Sequence, residues 1–338
     1  MARRHWSRHG GGGLSFTEIG LGTAPLGNLY RAVPDAEARA VIECAWEAGI
    51  RHFDTAPLYG LGLAETRLNP VLRGKARDAF TLSTKVGRLL QAVPRGQGDG
   101  AGKWFEVPSR RERYDYGHDG VLRSVEFSLE RLGLDRIDIL YAHDLDISNH
   151  GSQAALDARL EEFMAGGYRA LLRLRDEGVI AAFGAGINEW QPGQWLLERG
   201  DFDIFLLAGR YTLLEQESLP FLNACAARGL GVVIGGPYNS GILARGPGPG
   251  AMWNYGPAPD AVQERARRLQ AAAAAHGLRL IDAALRFPLL HPAVVSVIPG
   301  GQGLGEMESN LRAAAADVPP ALWAELKQAG LIDPAAPV

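Results

Sequence analysis

The sequence is poor in cysteine, in net charge and in long apolar runs. Its 338 residues include two cysteines, Cys44 and Cys225, which lie far apart in helix-like segments and are expected to be free thiols in a reducing compartment. A formal net charge of −3 gives no indication of a nucleic acid or an anionic membrane as partner. No apolar run approaches the length of about 18 residues that spans a bilayer, so we expect no transmembrane helix.

The N-terminal segment lacks the apolar stretch of a signal peptide. The opening MARRHWSRHGGGG is basic, but no apolar region follows it, and we therefore expect a cytoplasmic protein. The run GGGG at 10–13 predicts a turn in a small N-terminal hairpin. With 46% hydrophobic residues the chain is long enough for a large core, and we interpret 1–338 as one domain.

Short β-rich runs alternate with amphipathic stretches, which is typical of βα units around a parallel sheet. The predicted strands are 18–23, 51–55, 80–85, 137–142, 180–187, 203–208, 230–235 and 293–298. The predicted helices are 35–49, 64–73, 120–133, 166–178, 191–199, 216–228, 260–276 and 280–287, with a last pair after them. The strands are nearly all apolar, as expected when both faces of a sheet are covered. The pattern predicts an α/β fold, a (β/α)8 TIM barrel with an N-terminal β-hairpin and extra C-terminal helices.

One segment breaks the alternation. Residues 86–117 are rich in glycine, proline and arginine and show no clear periodicity. A structureless connection of that length is uncommon unless it is functional. Because it leaves the strand that ends at Lys85, we predict that it covers the substrate at the barrel mouth. A disordered insertion is the alternative.

Four chemically active residues lie at or just after strand ends. Asp54 and Tyr59 close the run IRHFDTAPLYG, Lys85 follows AFTLST, and His143 follows DRIDILYA. In a parallel barrel all these ends open on one face, so the four side chains can converge. Each has an ordinary alternative: a helix N-cap, turn packing, a solvated strand end or a half-buried histidine.

Together these residues suit proton transfer. A tyrosine has an ordinary pKa of about 10, and a neighbouring ammonium such as Lys85 is expected to lower it by ~2 pH units. Asp54 would hold Lys85 charged and oriented, and a neutral His143 would hydrogen-bond the reacting oxygen. No cluster has metal-ligand spacing, so no metal is expected. Proton transfer coupled to hydride transfer with a nicotinamide is the natural candidate.

The motifs IGLGTAPLG, FDTAPLYG, LSTKVGR and LYAHD, in this order, resemble the aldo-keto reductase superfamily. The resemblance continues through GAGINEW, GGPYNSGIL and VIPGG and so covers nearly the whole chain. The segment DYGHDGVLRSVEFSLERLGLDRIDILYAHDLD is similar to the aldose 1-dehydrogenase subgroup, which includes L-fucose and D-threo-aldose dehydrogenases and pyridoxal 4-dehydrogenase. The resemblance implies an NAD(P)-dependent (β/α)8 enzyme in which Tyr59 is the acid/base, Asp54 and Lys85 tune it, and His143 orients the carbonyl.

The resemblance also implies a dinucleotide bound across the barrel mouth, without a Rossmann GxGxxG. The positions that match are Gly22, Thr23, Ala24, Asp54, Asn188, Arg210, Tyr211, Pro237, Tyr238, Asn239, Ser240, Gly241, Leu243, Pro299, Gly300, Gly301, Gln302, Glu306, Ser309 and Asn310. Asn188 matches the residue that binds the carboxamide and Tyr211 an aromatic that stacks on the nicotinamide, whereas Arg210 replaces a common glutamine.

NAD is expected in preference to NADP. The stretch between Pro299 and Asn310 has no basic residue for a 2′-phosphate and carries Glu306 and Glu308 instead. A carboxylate suits a ribose 2′-hydroxyl and repels a phosphate. A basic residue from elsewhere in the chain would reverse this preference.

The expected substrate is a small molecule with a cyclic hemiacetal, the feature that aldopyranoses and pyridoxal share. Trp104 and Phe105 in the long loop are candidates to stack against a sugar face, and Asp144 to accept hydrogen bonds from hydroxyls; packing and helix capping are the alternatives. Oxidation of the hemiacetal carbon gives a lactone. Reduction of a small aldehyde or ketone and a non-catalytic nicotinamide-binding regulatory subunit remain open, as does the oligomeric state.

Overall fold

The computed structural model describes residues 1–8, 13–98, 100 and 102–338. Eight parallel strands form its centre: β1 (Leu21–Gly22), β2 (His52–Asp54), β3 (Thr81–Val86), β4 (Ile139–His143), β5 (Ala182–Ile187), β6 (Ile204–Ala208), β7 (Gly231–Gly235) and β8 (Val294–Ile298). Neighbours in this order pair with each other, and a parallel bridge between Ile19 and Val297 joins the two ends. The predicted eight-stranded barrel is confirmed.

Apolar side chains cover both faces of the strands. A small inner cluster fills the barrel and includes Phe16, Ile139, Tyr141, Ile204 and Val233. A larger cluster packs the outer strand faces against the surrounding helices. This double burial explains why the strands read as continuous apolar runs rather than as alternating ones.

Helices surround the barrel close to where periodicity predicted them. Their bounds are Asp35–Glu47, Leu63–Leu72, His118–Leu132, Tyr168–Asp176, Trp190–Leu197, Leu219–Ala227, Asp260–Ala275, Leu280–Arg286, Leu304–Ala314 and Pro320–Gln328. The short helix Ile242–Arg245 was not predicted. Left-handed Gly133 ends the helix His118–Leu132, as expected for a glycine after a helix.

Two helices after β4 were not predicted. Ile147–His150 begins where the Asp146 side chain accepts from the backbone N–H of Asn149, and Gln153–Glu162 begins where the Ser152 side chain accepts from that of Ala155. A π-helical turn at Phe163–Gly167 then leads into the next helix. Its two glycines interrupt the apolar period, so the sequence predicted only the part from 166 onwards.

Residues 86–117 are not a structureless loop. Arg88–Ala92 pairs antiparallel with Arg110–Tyr114, and Arg88 lies opposite Tyr114. We call the segment 87–116 the arm. The second of its strands carries charged side chains at four of five positions, and the hairpin therefore lacks the continuous apolar signal of a buried strand. A second small hairpin, Met252–Trp253 with Gly256–Pro257, forms what we call the flap.

The N-terminal hairpin closes the opposite end of the barrel. Arg3–Trp6 pairs antiparallel with Leu14–Thr17, and Nη1 of Arg4 donates to the backbone oxygen of Val294, at the start of β8, at 2.7 Å. Most of the predicted turn at 10–13 lies outside the described residues.

Among the helices that the structure describes, none has both the length and the apolar character needed to cross a membrane.

Candidate active site

Three neighbouring strands carry the predicted acid–base residues to one end of the barrel. Asp54 ends β2, Lys85 lies one position before the end of β3, and His143 ends β4. Tyr59 follows β2 in the turn that precedes helix Leu63–Leu72. Because the strands are parallel, their ends meet at the same mouth.

Asp54 and Lys85 form a buried ion pair. Nζ of Lys85 donates to Oδ2 of Asp54 at 2.7 Å and to the backbone oxygen of Thr55 at 2.8 Å. Oδ1 of Asp54 accepts from Oγ of Ser83 at 2.7 Å. Burial raises the pKa of the Asp54 carboxyl, and the Lys85 ammonium opposes that change. The two contacts of Nζ hold the Lys85 ammonium in one position, as expected if Asp54 orients it.

Tyr59 lies beside Lys85 and His143. Nζ of Lys85 is 4.6 Å from the centre of the Tyr59 ring. The imidazole of His143 meets the same ring edge-on, with the two ring centres 5.8 Å apart. The structure thus brings together all four residues of the predicted cluster.

The pKa of Tyr59 moves in the direction opposite to the one expected. Burial raises this pKa well above its ordinary value of 10, the Asp54 and Asp144 carboxylates raise it further, and the Arg88 guanidinium lowers it. The charge of Lys85 is compensated by its contact with Asp54, so the ammonium alone does not produce the expected decrease. Tyr59 is a protonated phenol at neutral pH in the ligand-free protein.

His143 is a neutral imidazole. Burial lowers its pKa well below the ordinary value of 6.5, the cations of Lys85 and Arg88 lower it further, and Asp146 opposes them. Its Nε2 lies 3.4 Å from Oδ2 of Asp144. Its Nδ1 is buried and has no hydrogen-bond partner in the described part of the chain.

Asp144 and Asn188 are bonded to each other and to the protein. Oδ1 of Asp144 accepts from Nδ2 of Asn188 at 2.9 Å, and Oδ2 accepts from Nη2 of Arg88 at 2.6 Å. Nδ2 of Asn188 also donates to Oδ2 of Asp146 at 2.9 Å. The predicted substrate contact of Asp144 and carboxamide contact of Asn188 therefore involve side chains already held by internal hydrogen bonds. Arg88, in LSTKVGR, was not among the predicted site residues.

The arm reaches the mouth through Trp104. The centres of the Trp104 and Tyr59 rings are 6.0 Å apart. An antiparallel bridge between Leu29 and Trp104 ties the arm to the loop after β1, and the Asn28 side chain donates to the backbone oxygen of Phe105 at 2.8 Å. The Phe105 side chain itself is 43% exposed. Of the two aromatics predicted to meet substrate, Trp104 is the one beside Tyr59.

A groove of about 550 Å³ leads from Tyr59 across the mouth. Thirteen of the predicted cofactor positions line it: Gly22, Thr23, Ala24, Asp54, Pro237, Tyr238, Ser240, Gly241, Gly300, Gln302, Glu306, Ser309 and Asn310. A Cβ on Gly300 would meet the Pro25 ring at 2.6 Å. The glycines of this wall allow close backbone approach, and the lining residues would suit a dinucleotide with its reactive end toward Tyr59.

The other predicted cofactor positions are not among the residues that line the groove. Tyr211 is fully buried and stacks on Phe287, with ring centres 5.2 Å apart, so its ring is not placed to stack on a nicotinamide. Nη1 of Arg210 donates to Oδ1 of Asn254 at 2.8 Å and so holds the flap. The remaining positions outside the lining are Asn188, Asn239, Leu243, Pro299 and Gly301.

Several groove residues were not predicted. Tyr30 and Arg31 after β1, Arg245, and Tyr255 in the flap all line the groove. Nε of Arg31 donates to Oε1 of Gln302 at 3.2 Å, which brings a basic residue to the segment that has none of its own. Three of them lie in loops and Arg245 ends a short helix, and a motif around a strand end gives no signal for any of them.

The described residues hold no group of three or more histidine, cysteine or acidic side chains placed to bind a metal ion.

The model of the Aldo/keto reductase family matches residues 18–330. A D-threo-aldose 1-dehydrogenase from Pseudomonas sp is 42% identical over 325 residues, 95% of this chain and 96% of that protein. A pyridoxal 4-dehydrogenase from Microbacterium luteolum is 40% identical over 331 residues, with 95% and 96% covered.

Among solved structures, the holo form of an aldo-keto reductase from Bacillus halodurans superposes with a TM-score of 0.75. The match covers 99% of this chain and 98% of the other at 24% identity. At that identity the likeness concerns the fold.

Proposed function

Because the chain belongs to the aldo/keto reductase family, we propose that it oxidises the C1 hydroxyl of a cyclic hemiacetal sugar to a lactone. The family and the dehydrogenases among its relatives make the chain an NAD(P)-dependent oxidoreductase acting on a CH–OH group. The proposed substrates are sugars of the L-fucose, D-arabinose or L-galactose type.

One observation carries the proposal: Tyr59 lies beside both Lys85 and His143 at the end of the groove. The distances of 4.6 Å from Lys85 Nζ and 5.8 Å from the His143 ring, both to the centre of the Tyr59 ring, allow the phenol and the imidazole to reach one substrate oxygen. Two relatives with about 40% identity are named as dehydrogenases of an aldose and of pyridoxal, which supports a hemiacetal as the reacting group.

In the proposed reaction, Tyr59 as phenolate takes the proton of the C1 hydroxyl while a hydride leaves C1. A bound nicotinamide would accept that hydride. The neutral His143 donates a hydrogen bond to the same oxygen and fixes its direction, and Asp54 orients the Lys85 ammonium beside the Tyr59 ring. In reduction, the same groups act with Tyr59 as the acid.

We propose NAD as the preferred cofactor. Glu306 lines the groove, and its Oε2 accepts from the backbone N–H of Gln302 at 2.8 Å, which places a carboxylate at the segment predicted to face the ribose. Arg31 acts against this preference, although its Nη2 lies 3.7 Å from a Glu37 carboxylate oxygen. The test is kcat/KM with each cofactor; an advantage of NADP above about tenfold contradicts the proposal, since that is ~1.4 kcal/mol of discrimination.

We further propose that residues 1–338 work as one barrel domain in the cytoplasm, with 86–117 covering the active site. The bridge between Leu29 and Trp104 supports the covering role, and the free Cys44 and Cys225 support a reducing compartment.

The deciding experiment is a panel of aldopyranoses, pyridoxal and simple aldehydes, followed at 340 nm in both directions. Oxidation of one sugar with kcat/KM at least about tenfold above the others supports the aldose assignment. Preference for pyridoxal, or reduction of aldehydes without sugar oxidation, selects the two alternative enzyme functions.

A regulatory subunit that binds the nicotinamide without turnover is the alternative of another class. The substitution Tyr59→Phe separates it from an enzyme, because it removes the proton carrier and leaves the groove intact. We expect oxidation to fall by a factor of about 10² to 10⁴ with cofactor affinity nearly unchanged. Equal slow rates for the wild type and the variant would favour the regulatory role.

A further inference from the structure

Arg88 is a buried cation that joins three elements at the mouth. Its side chain is 4% exposed. Nη2 donates to Oδ2 of Asp144 at 2.6 Å and to Oδ1 of Asn149 at 2.7 Å, and Nη1 donates to Oε2 of Glu112 at 2.5 Å. The contacts tie the first strand of the arm to its second strand, to the end of β4 and to the helix Ile147–His150. A buried guanidinium with two carboxylates is seldom needed for stability alone.

The turn between β3 and the arm determines where Arg88 lies. Gly87 has a φ of +98°, and a Cβ there would meet the Tyr116 ring at 2.3 Å. The chain therefore turns directly after β3. This turn brings Arg88 back to the mouth at which Lys85 lies. The Tyr116 hydroxyl in turn donates to the backbone oxygen of His143 at 2.5 Å, so the same turn packs against the end of β4.

Asp144, the main partner of Arg88, is held in an uncommon conformation next to His143. Its φ of +57° lies in the left-handed region, which a residue other than glycine adopts at some energetic cost. The conformation keeps Oδ2 3.4 Å from Nε2 of His143. A carboxylate there favours the tautomer with hydrogen on Nε2, since buried Nδ1 has no partner in the described residues. That tautomer is the one able to donate to a substrate oxygen.

We propose that Arg88 is a positioning residue of the reaction, which holds the Asp144 carboxylate beside His143 and balances its negative charge next to Tyr59. The inference rests on the proposed function, because it gives Arg88 its effect through Tyr59 and His143. Arg88 itself is not among the residues that line the groove.

The charges around Tyr59 and Arg88 agree with this role. The Asp144 carboxylate raises the pKa of Tyr59, and Arg88 lowers it. The groups that act on Tyr59 from the elements around it are Asp54, Lys85, His143, Asp144, Arg88 and Tyr255. Those that act on Arg88 are Asp144, Glu112, Tyr114 and Tyr116, and Arg88 in turn acts on His150. Removing the arginine leaves the carboxylate of Asp144 uncompensated beside the phenol.

The test is the pH dependence of kcat/KM for oxidation, which requires the Tyr59 phenolate. The substitution Arg88→Met should move the rising limb to higher pH by about one unit, and Asp144→Asn should move it to lower pH by a similar amount. A shift of the rising limb by one pH unit changes kcat/KM about tenfold at any fixed pH on that limb. A merely structural role predicts lower activity with an unmoved limb, or movement of both variants in one direction, and either result overturns the proposal.

Glu112→Gln is the matched control, because it also removes a carboxylate from Arg88 but one that does not act on Tyr59. The rising limb of the pH profile should not move in Glu112→Gln. Should Arg88→Met fail to fold, Arg88→Lys is compared with Asp144→Asn: the limb should stay within about 0.3 unit in the lysine variant, which keeps the charge, and move to lower pH in the asparagine variant, which removes the carboxylate. A limb that moves upward by a full unit in Arg88→Lys contradicts the charge-balancing role.

A ligand-free measurement separates this inference from the proposed function. In ¹⁵N-histidine-labelled protein, with His143 assigned by its loss in His143→Gln, the wild type should show hydrogen on Nε2 and Arg88→Met a mixture of tautomers. Hydrogen on Nδ1 in the wild type overturns the inference. If the wild type turns over no hemiacetal or aldehyde, the proposed function fails, and the tautomer still decides the role of Arg88.

Discussion

The floor and the roof of the barrel mouth are built differently. The floor consists of strand ends, where Asp54 and Lys85 are buried and bonded to each other at 2.7 Å. The roof consists of the arm and the flap, where Phe105 and Tyr255 are 43% and 60% exposed. The barrel itself fixes the floor, whereas the exposed parts of two hairpins carry the roof.

The difference suggests a division of tasks. Positioning at the floor tolerates little movement, because a reacting oxygen must stay within hydrogen-bond distance of its proton carrier. Contacts at the roof can vary without disturbing the barrel, as loops on a rigid scaffold do. We therefore expect substitutions in the floor to lower kcat and those in the roof to change KM.

The largest effect is expected from Lys85→Met in the floor. The substitution leaves the Asp54 carboxylate buried without its cation, so kcat should fall by a factor of about 10³ and the free energy of unfolding by about 3–5 kcal/mol. Arg77→Met is the matched control, since Arg77 pairs with buried Asp138 at 2.7 Å near the start of β4, away from the mouth. It should lower stability and leave kcat within about twofold. Steady-state kinetics with chemical denaturation measure both, and a comparable loss of kcat in Arg77→Met would refute the division.

Gly87→Ala tests whether the floor depends on the base of the arm. The added Cβ meets the Tyr116 ring and the φ of +98° disfavours any side chain, so we expect a loss of about 2–4 kcal/mol in stability and about tenfold in kcat/KM. Gly96→Ala is the control: φ is +84°, but nothing lies within 4 Å of the added Cβ. It should lower stability by about 1 kcal/mol and leave kcat/KM unchanged. Equal kinetic effects of the two substitutions would show that arm strain, and not the Tyr116 contact, matters.

The pH dependence of the two directions tests the electrostatics of the floor. The pKa of Tyr59 is raised by burial and by Asp54 and Asp144, so the phenolate that the proposed oxidation needs forms only as the pH rises. Oxidation should therefore increase about tenfold per pH unit on its rising limb, while reduction, which uses the phenol, should persist to alkaline pH. Rates from pH 6 to 10 decide the matter; oxidation that is already maximal at pH 6 would mean a lowered pKa.

The sequence predicts the residues of the floor but not the hairpins of the roof. Each floor residue lies at the end of an apolar run whose length and turn signals locate it, so the sequence alone predicts Asp54, Lys85 and His143 at one mouth. The arm strands mix charged side chains with apolar ones, and their pairing of Arg88 with Tyr114 depends on long-range contacts that periodicity does not report. The direction of the Tyr59 pKa was also missed, because burial and the charge of Asp144 follow only from tertiary packing.

The smallest effect is expected in the roof, from Trp104→Ala. The Trp104 ring lies 6.0 Å from that of Tyr59, so its loss should raise KM for the true substrate about tenfold, with kcat within about twofold, because its proposed contact is with the substrate and not with the reacting oxygen. Phe105→Ala is the matched control, since this neighbouring side chain is 43% exposed and its backbone holds the arm to Asn28. It should change KM less than about twofold. An unchanged KM in Trp104→Ala would remove the arm from substrate binding, and a lowered kcat at constant KM would place Trp104 with the floor.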